Sequence, residues 1–361
     1  MHVLAYSDAA GVGGAEISLA NLLAELQGDA SLDLTVLGRS PEVVERVTPR
    51  GVASVVAPVG RHPSVLARLR PDIVHANLPA PWEGAVGIAA ALALPRTRVL
   101  AVQQLPLRTV ELPLWLRTRA LLRRLDAHVA VGEQSCRRME DFYALGRGTV
   151  RSIPNFVPDV PPAHRMNGRR PDPAALTVGS LGRLDRVKGY DLLLAAVAQV
   201  PQARLVVLGE GAERPVLERQ AAELGVSDRV SFPGWHPEPR TVLPEWDVFC
   251  LPSRSEGFPL SIVEAMLAGL PVVASSVGSV AEAVDEGCTG LLVPKDDVDA
   301  LTAALRQLVD PDVRVRFGRA GRERAAGEFT VARMAEAYRR LYDEMLAAPR
   351  RSRLWPGAEK P

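Results

Sequence analysis

Cysteine is scarce in this chain, with Cys136, Cys250 and Cys288 scattered over 361 residues. That number and spacing support neither a disulfide framework nor a metal site, and they fit a reducing cytoplasm. Net charge is scarce too: a formal +1 gives no global signal for nucleic acid. No apolar run approaches the ~18 residues of a membrane span, and the longest, Ala85–Leu94, reads as a buried helix. The chain enters a strand-like run at once, without a basic and apolar leader, so no secretory signal is expected. Lysine is rare: of 43 Lys and Arg residues only Lys188, Lys295 and Lys360 are lysines. An arginine bias of this kind reflects a GC-rich genome, and it makes each lysine more informative.

What is abundant is alternation. Strand-like runs at Val3–Tyr6, Asp33–Leu37, Ala53–Ala57, Asp72–Ala76, Arg98–Gln103 and His128–Val131 are separated by helical patterns. The same grammar returns at Leu176–Leu181, Arg204–Leu208, Val230–Phe232, Val248–Leu251 and Val272–Ala274. Each half therefore reads as an α/β, doubly wound, Rossmann-like parallel sheet. The boundaries are residues 1–157 for the first domain and 176–330 for the second, with a proline-rich linker at 158–175 between them. Two such domains on a hinge imply a cleft. A helix over 331–348 carries Val331, Met334, Ala335, Tyr338, Leu341, Tyr342, Met345 and Leu346 on one face, and 349–361 reads as a disordered tail.

The most informative stretch is SEGFPLSIVEAMLAGLPVVAS, which carries Glu256 and Glu264 and reads as strand, loop, helix, strand. Pro259 suits the first helical turn and Gly269 the stop. Glu256 then sits in a loop at the carboxyl end of a strand, and Glu264 lies one to two turns into the helix. Both carboxylates accept hydrogen bonds from hydroxyls. Backbone N–H groups around Gly257, Phe258, Pro259 and Leu260 face outward from a helix N-terminus, where an anion is favoured. Hydroxyls plus a diphosphate are the demands of a nucleotide sugar.

This segment resembles the Glu-x7-Glu signature of retaining glycosyltransferases of the GT-B fold, family 4 (group 1) above all. The resemblance implies that Glu264 holds the nucleotide ribose, that Glu256 meets the donor sugar, and that the last helix crosses back onto the N-terminal domain. Arg183 and Lys188, in GSLGRLDRVKGYD, are similar to the family's Gly-Arg-Leu and Lys-Gly, which assigns both cations to the donor diphosphate. The chemistry agrees, since preorganised cations stabilise the charge that builds on a departing phosphate. GEGAERPVLE from Gly209 is similar to a family turn near the nucleotide, although a plain strand-to-helix turn explains its glycines equally well. Gly278, Ser279 and Glu282 before Gly290–Pro294 resemble a later family loop with no chemistry assigned. Ile153, Pro154 and Asn155 resemble the close of the first domain, with Asn155 a candidate cleft contact.

On the acceptor side, Gly11-Val12-Gly13-Gly14-Ala15-Glu16 follows the first strand. A dinucleotide fingerprint needs glycine where Glu16 stands, so that reading fails. The run is similar instead to the family's Gly-Gly-Ala/Val-Glu turn, which implies that Gly13 and Gly14 let backbone approach the donor and that Glu16 faces the acceptor side. Many relatives carry histidine where Gln103 and Gln104 stand. An amide binds a hydroxyl but takes up no proton near neutral pH. If the leaving phosphate takes the acceptor proton, catalysis survives that change. His75, in DIVHAN, is the remaining acceptor-side candidate, beside the reading of a structural histidine.

Residues 108–124 mix Leu112, Leu114, Trp115, Leu116, Leu121 and Leu122 with Arg117, Arg119, Arg123 and Arg124. An ordinary core-facing helix explains the leucines; a peripheral contact with an anionic membrane is the other reading. The resemblance as a whole implies a retaining hexosyltransferase. It would move sugar from a UDP- or GDP-linked donor to a hydroxyl of a glycan or lipid-linked acceptor, in polysaccharide or cell-envelope glycan biosynthesis. Its place would be the cytoplasm or the inner face of the membrane, with catalysis by Arg183, Lys188 and Glu256. No metal cofactor is expected, because no Asp-x-Asp pattern lies at a strand end and two cations can serve the diphosphate; the acidic pair at 296–297 reads as a helix cap. The rivals are a nucleotide-sugar epimerase or hydrolase on the same architecture, and a non-catalytic nucleotide-sugar binding protein.

Overall fold

A computed structural model describes residues 1–159 and 176–349. The chain divides into two compact units, one made of residues 1–156 with the segment from Val331 on, the other of residues 157–330. All but two residues of the expected linker, and all but one of the expected tail, lie outside the described residues.

The first unit runs β1 (His2–Ser7), α1 (Gly14–Leu26), β2 (Asp33–Gly38), α2 (Pro41–Val47), β3 (Ala53–Val56), α3 (His62–Leu69), β4 (Ile73–Leu78), α4 (Ala85–Ala93), β5 (Arg98–Gln103), α5 (Leu112–Leu122), β6 (Ala127–Ala130), α6 (Glu133–Phe142) and β7 (Arg151–Ser152). Its strands are parallel, in the order β3-β2-β1-β4-β5-β6-β7. Helices cover both faces, so every residue of β4 and β5 is buried. That is why residues 99–102 of β5 read as a continuous apolar run, and why the polar His75 and Asn77 of β4 are buried as well.

The second unit runs β8 (Leu176–Leu181), α7 (Tyr190–Ala198), β9 (Ala203–Leu208), α8 (Arg214–Glu223), β10 (Val230–Gly234), β11 (Val248–Leu251), α9 (Leu260–Leu267), β12 (Val272–Ser275), α10 (Val280–Ala283), β13 (Gly290–Val293), α11 (Val298–Gln307) and α12 (Pro311–Glu328). Its sheet is also parallel, in the order β10-β9-β8-β11-β12-β13. Gly290–Val293, absent from the strand-like runs expected of the sequence, is the edge strand of this sheet. The acidic pair divides: Asp297 caps α11 through the Ala300 N–H at 2.8 Å, whereas Asp296 adopts a left-handed φ of 60° and pairs with Arg254.

The last helix, α13 (Val331–Ala347), belongs to the first unit, where Arg339 donates to Asp29 at 2.9 Å. Seven of its eight expected apolar positions are buried, Leu346 being the exception. Both sheets are doubly wound: chain order reverses between β1 and β4 in the first unit and between β8 and β11 in the second. In open α/β sheets, ligands bind beyond the carboxyl ends of the strands at such reversals.

Candidate active site

The second unit places its candidate residues at its reversal. After β8 the chain makes a short 3-10 turn at Arg186–Lys188, capped by Asp185, whose Oδ1 accepts the N–H groups of Val187 at 3.1 Å and Lys188 at 3.2 Å. Gly189 follows with φ 69°, and a Cβ there would lie 2.1 Å from the Pro252 carbonyl oxygen in the loop after β11. Only glycine permits that backbone contact. The contact brings Lys188 to the other side of the reversal, where its Nζ lies 2.7 Å from Oε1 of Glu256, both side chains being largely buried.

The Glu256 loop is held from behind at Gly278, where φ is 55° and a Cβ would lie 1.9 Å from the Glu256 carbonyl oxygen. The Ser279 N–H donates to the Gly257 carbonyl at 2.9 Å. Pro259 is the N-cap of α9, one residue outside the first turn, and as proline it offers no N–H. The expected cradle therefore has donors only at Gly257, Phe258 and Leu260. The Phe258 side chain is committed to packing, edge-on to Phe329 at 5.7 Å.

Glu264 lies in the second turn of α9, where Oε1 accepts from Nε of Arg240 at 3.0 Å. Burial pushes its carboxyl above the ordinary range even though Arg240 pulls the other way. Arg183 is 81% exposed and pairs with Asp185 at 3.0 Å. Thus Lys188 and Glu256 meet directly, while Glu264 and Arg183 each have a different partner.

In the first unit, Gly13 is the N-cap of α1 and donates its N–H to Oε2 of Glu16 at 3.0 Å. Glu16 is buried, which raises its carboxyl above the ordinary range. A Cβ at Gly14 would meet open space, so packing within the described residues gives no reason for glycine there.

One acceptor-side candidate, His75, is corrected, and two others, Gln103 and Gln104, are buried. β4 extends two residues beyond the expected end, so His75 lies in mid-strand rather than at its mouth. There it is enclosed by Tyr338 and hydrogen-bonded through Nδ1 to the Tyr342 hydroxyl at 2.6 Å; burial lowers its pKa to about 3. Gln104 is engaged by protein at both ends of its amide, donating to Asn77 at 2.8 Å and accepting from Asn155 at 2.6 Å, and Asn155 in turn accepts from Ser18 at 2.6 Å. Gln103 is wholly buried, and its amide has no partner among the described residues.

The comparisons with known proteins agree with this architecture. Residues 167–324 match the family model described as glycosyl transferases group 1, and residues 12–159 match that of Glycosyltransferase Family 4. Over 245 residues, 63% of the chain, it is 32% identical to the lipopolysaccharide core biosynthesis mannosyltransferase LpsB of Rhizobium meliloti, of which it covers 68%. The chain belongs to the group 1, family 4 type of glycosyltransferases. It is also 36% identical over 168 residues, 46% of its length, to the lipopolysaccharide core biosynthesis glycosyltransferase LpsE of the same organism, and spans about half (49%) of that relative. Anabaena HepE, solved in complex with UDP, shares the GT-B fold at TM-score 0.81 and 20% identity, over 95% of this chain and all of that one.

Several residues around this candidate site carry no signal in the sequence. Arg240 and Arg254 are two arginines in a chain full of them, and nothing local marks them. Ser253, next to Arg254, has a fully buried hydroxyl without a partner among the described residues. Gly278 has no chemistry assigned by its motif, and its closeness to the Glu256 backbone supplies a structural role.

The face of α5 is divided. Trp115 donates to the Phe142 carbonyl at 2.7 Å and Leu122 is buried, as a core-facing helix requires. Leu112 and Leu116, however, are 64% and 53% exposed, and Val110 just before the helix is 93% exposed. Among the described residues no helix is long and apolar enough to cross a membrane.

Proposed function

We propose that this chain transfers a hexose from a nucleoside diphosphate sugar to a hydroxyl of a glycan or lipid-linked acceptor, with retention at the anomeric carbon. The observation that carries this reading is the Lys188–Glu256 pair at the reversal between β8 and β11. A cation and a carboxylate there offer one group to a diphosphate oxygen and the other to sugar hydroxyls. In this reading Glu264 binds ribose hydroxyls, with Arg240 fixing its carboxylate. Arg183 joins Lys188 on the diphosphate, and the N–H groups of Gly257, Phe258 and Leu260 face anionic oxygen.

During transfer the bond from the anomeric carbon to the diphosphate oxygen breaks, and one from the same carbon to the acceptor oxygen forms. The acceptor proton passes to the leaving phosphate oxygen on the same face, so no histidine or glutamine base is required. Lys188 and Arg183 stabilise the charge that develops on the leaving group, worth about 10²–10³ in rate for one such donor. No metal is part of the reading, and a chelator should leave turnover unchanged. LpsB, named a mannosyltransferase, and HepE, solved with UDP, lend support to hexose transfer and to a nucleoside diphosphate donor. The reading includes contact of residues 108–124 with an anionic membrane surface, where a lipid-linked acceptor resides.

The test is a thermal-shift panel of UDP, GDP and ADP, followed by incubation of UDP- and GDP-hexoses with glycan and lipid extracts. New glycoside with the donor's anomeric configuration supports the reading. Free altered sugar would instead mark an epimerase or hydrolase, and nucleotide binding without turnover a binding protein.

A further inference from the structure

Arg254 stands two residues before Glu256, outside the residues to which the sequence assigned a role. Its guanidinium forks onto Asp191, with Nη1 to Oδ1 at 2.8 Å and Nη2 to Oδ2 at 2.7 Å. Nη1 also donates to the Arg186 carbonyl at 2.7 Å, and Nε donates to Oδ1 of Asp296 at 2.6 Å. The Arg254 backbone N–H donates to the Val187 carbonyl at 2.7 Å. One residue of the Glu256 loop thereby ties together the first turn of α7, the 3-10 turn ending in Lys188, and the segment after β13.

Two features set this apart from an ordinary surface ion pair, which contributes little. The Asp191 contact is bidentate, the geometry at which arginine is strongest and lysine is no substitute. Burial alone would raise the Asp191 carboxyl, but its bonds to Arg254 outweigh that and hold it below its ordinary range. The second feature is the target. A three-residue 3-10 turn has poor internal hydrogen-bond geometry, so the direction of the Lys188 side chain depends on what holds its carbonyls. With Asp191 and Asp296 both on the guanidinium, Arg254 is committed to protein partners.

We infer that Arg254 is a positioning residue: it locks the Arg186–Lys188 turn to the Glu256 loop and acts on the donor only through Lys188. The inference rests on the proposed role of Lys188 in binding a nucleoside diphosphate. A displacement of about 1 Å at such a group is enough to cost binding and rate.

The test is a double-mutant cycle read by calorimetric UDP binding, with hydrogen exchange at the amides of Val187 and Lys188 as a second measurement. Arg254→Ala should weaken UDP roughly tenfold in the otherwise native chain, and less than about twofold in a Lys188→Ala background. Exchange at the two amides should quicken, and Arg254→Lys should restore thermal stability better than UDP affinity. Should Arg254→Ala fail to fold, Asp296→Asn loosens the same clasp from outside the Lys188 and Glu256 loops and should show the same non-additivity. An equal loss of affinity in both backgrounds would overturn the inference. If the native chain binds neither UDP, GDP nor ADP, the donor reading fails by itself; unchanged exchange in Arg254→Ala would then overturn the clasp, and faster exchange would support it.

Discussion

Nζ of Lys188 and Oε1 of Glu256 are 2.7 Å apart although 68 residues separate them, and their loops leave the two strands between which chain order reverses. Each is therefore both a candidate ligand group and the partner of the other. Lys188→Ala should cut turnover by about 10²–10³. It should also cost about 1–3 kcal/mol of stability, because a buried carboxylate loses its charged partner. Adding Glu256→Gln should recover the stability without recovering the rate. Recovery of both would mean that Lys188 serves only to neutralise Glu256.

Glu264 and Arg240 form the second pair, at 3.0 Å. Burial already raises the Glu264 carboxyl, and Arg240 opposes that shift. Arg240→Ala removes the opposition, so the carboxyl should take up a proton at higher pH than in the native chain. UDP binding should weaken about threefold to thirtyfold near neutral pH and fall further toward pH 5 in the variant. A binding curve parallel to that of the native chain between pH 7 and 5 would separate Glu264 from the nucleotide.

The strands were legible because a doubly wound parallel sheet buries both faces, which leaves short apolar runs such as residues 99–102 inside β5 and Val248–Leu251. The two-residue β7 and the glycine-led edge strand β13 are too short or too ambiguous to stand out from loops. Lys188 and Glu256 were legible as groups that meet one donor, but their direct ion pair was not, since it depends on backbone contacts at Gly189 and Gly278 that no local pattern encodes. Arg240 and Arg254 were invisible for the opposite reason: in an arginine-rich chain the residue type carries no information until its partner is seen. His75 is third of six in a strand that runs two residues past the expected end, so its ring packs against Tyr338 and Tyr342 of α13 rather than standing at the strand mouth.

The exposed pair Leu112 and Leu116 yields a prediction of a different kind. They share one face of α5; Arg117 is exposed on the helix, and Arg123 and Arg124 are exposed just past its end. Vesicles rich in anionic lipid should retain the protein at low salt and release it as salt rises, with each arginine contributing about 1 kcal/mol. Leu112→Glu with Leu116→Glu should abolish retention without lowering thermal stability, since neither side chain is in the core. Equal retention on neutral and anionic vesicles, or by the double variant, would leave α5 without a membrane role.

Acid stability tests the burial of two histidines. His75 and His128 are each held to a pKa of about 3 by burial alone, against about 6.5 in an unfolded chain. Between those values the unfolded state binds protons that the native state refuses. The stability that these residues contribute is therefore complete above pH ~6.5 and is lost as pH falls toward 3, by up to ~1.4 kcal/mol per pH unit for each histidine. Both lie in the first unit, so its urea-unfolding free energy should decline across this window. His75→Phe forfeits the Tyr342 hydrogen bond, about 1 kcal/mol at any pH, so slopes rather than absolute values carry the comparison. Combined with His128→Leu it should flatten the decline between pH 6.5 and 4.5. An undiminished slope would place the acid sensitivity of the unit in its carboxylates and leave the neutral, enclosed state of His75 without thermodynamic support.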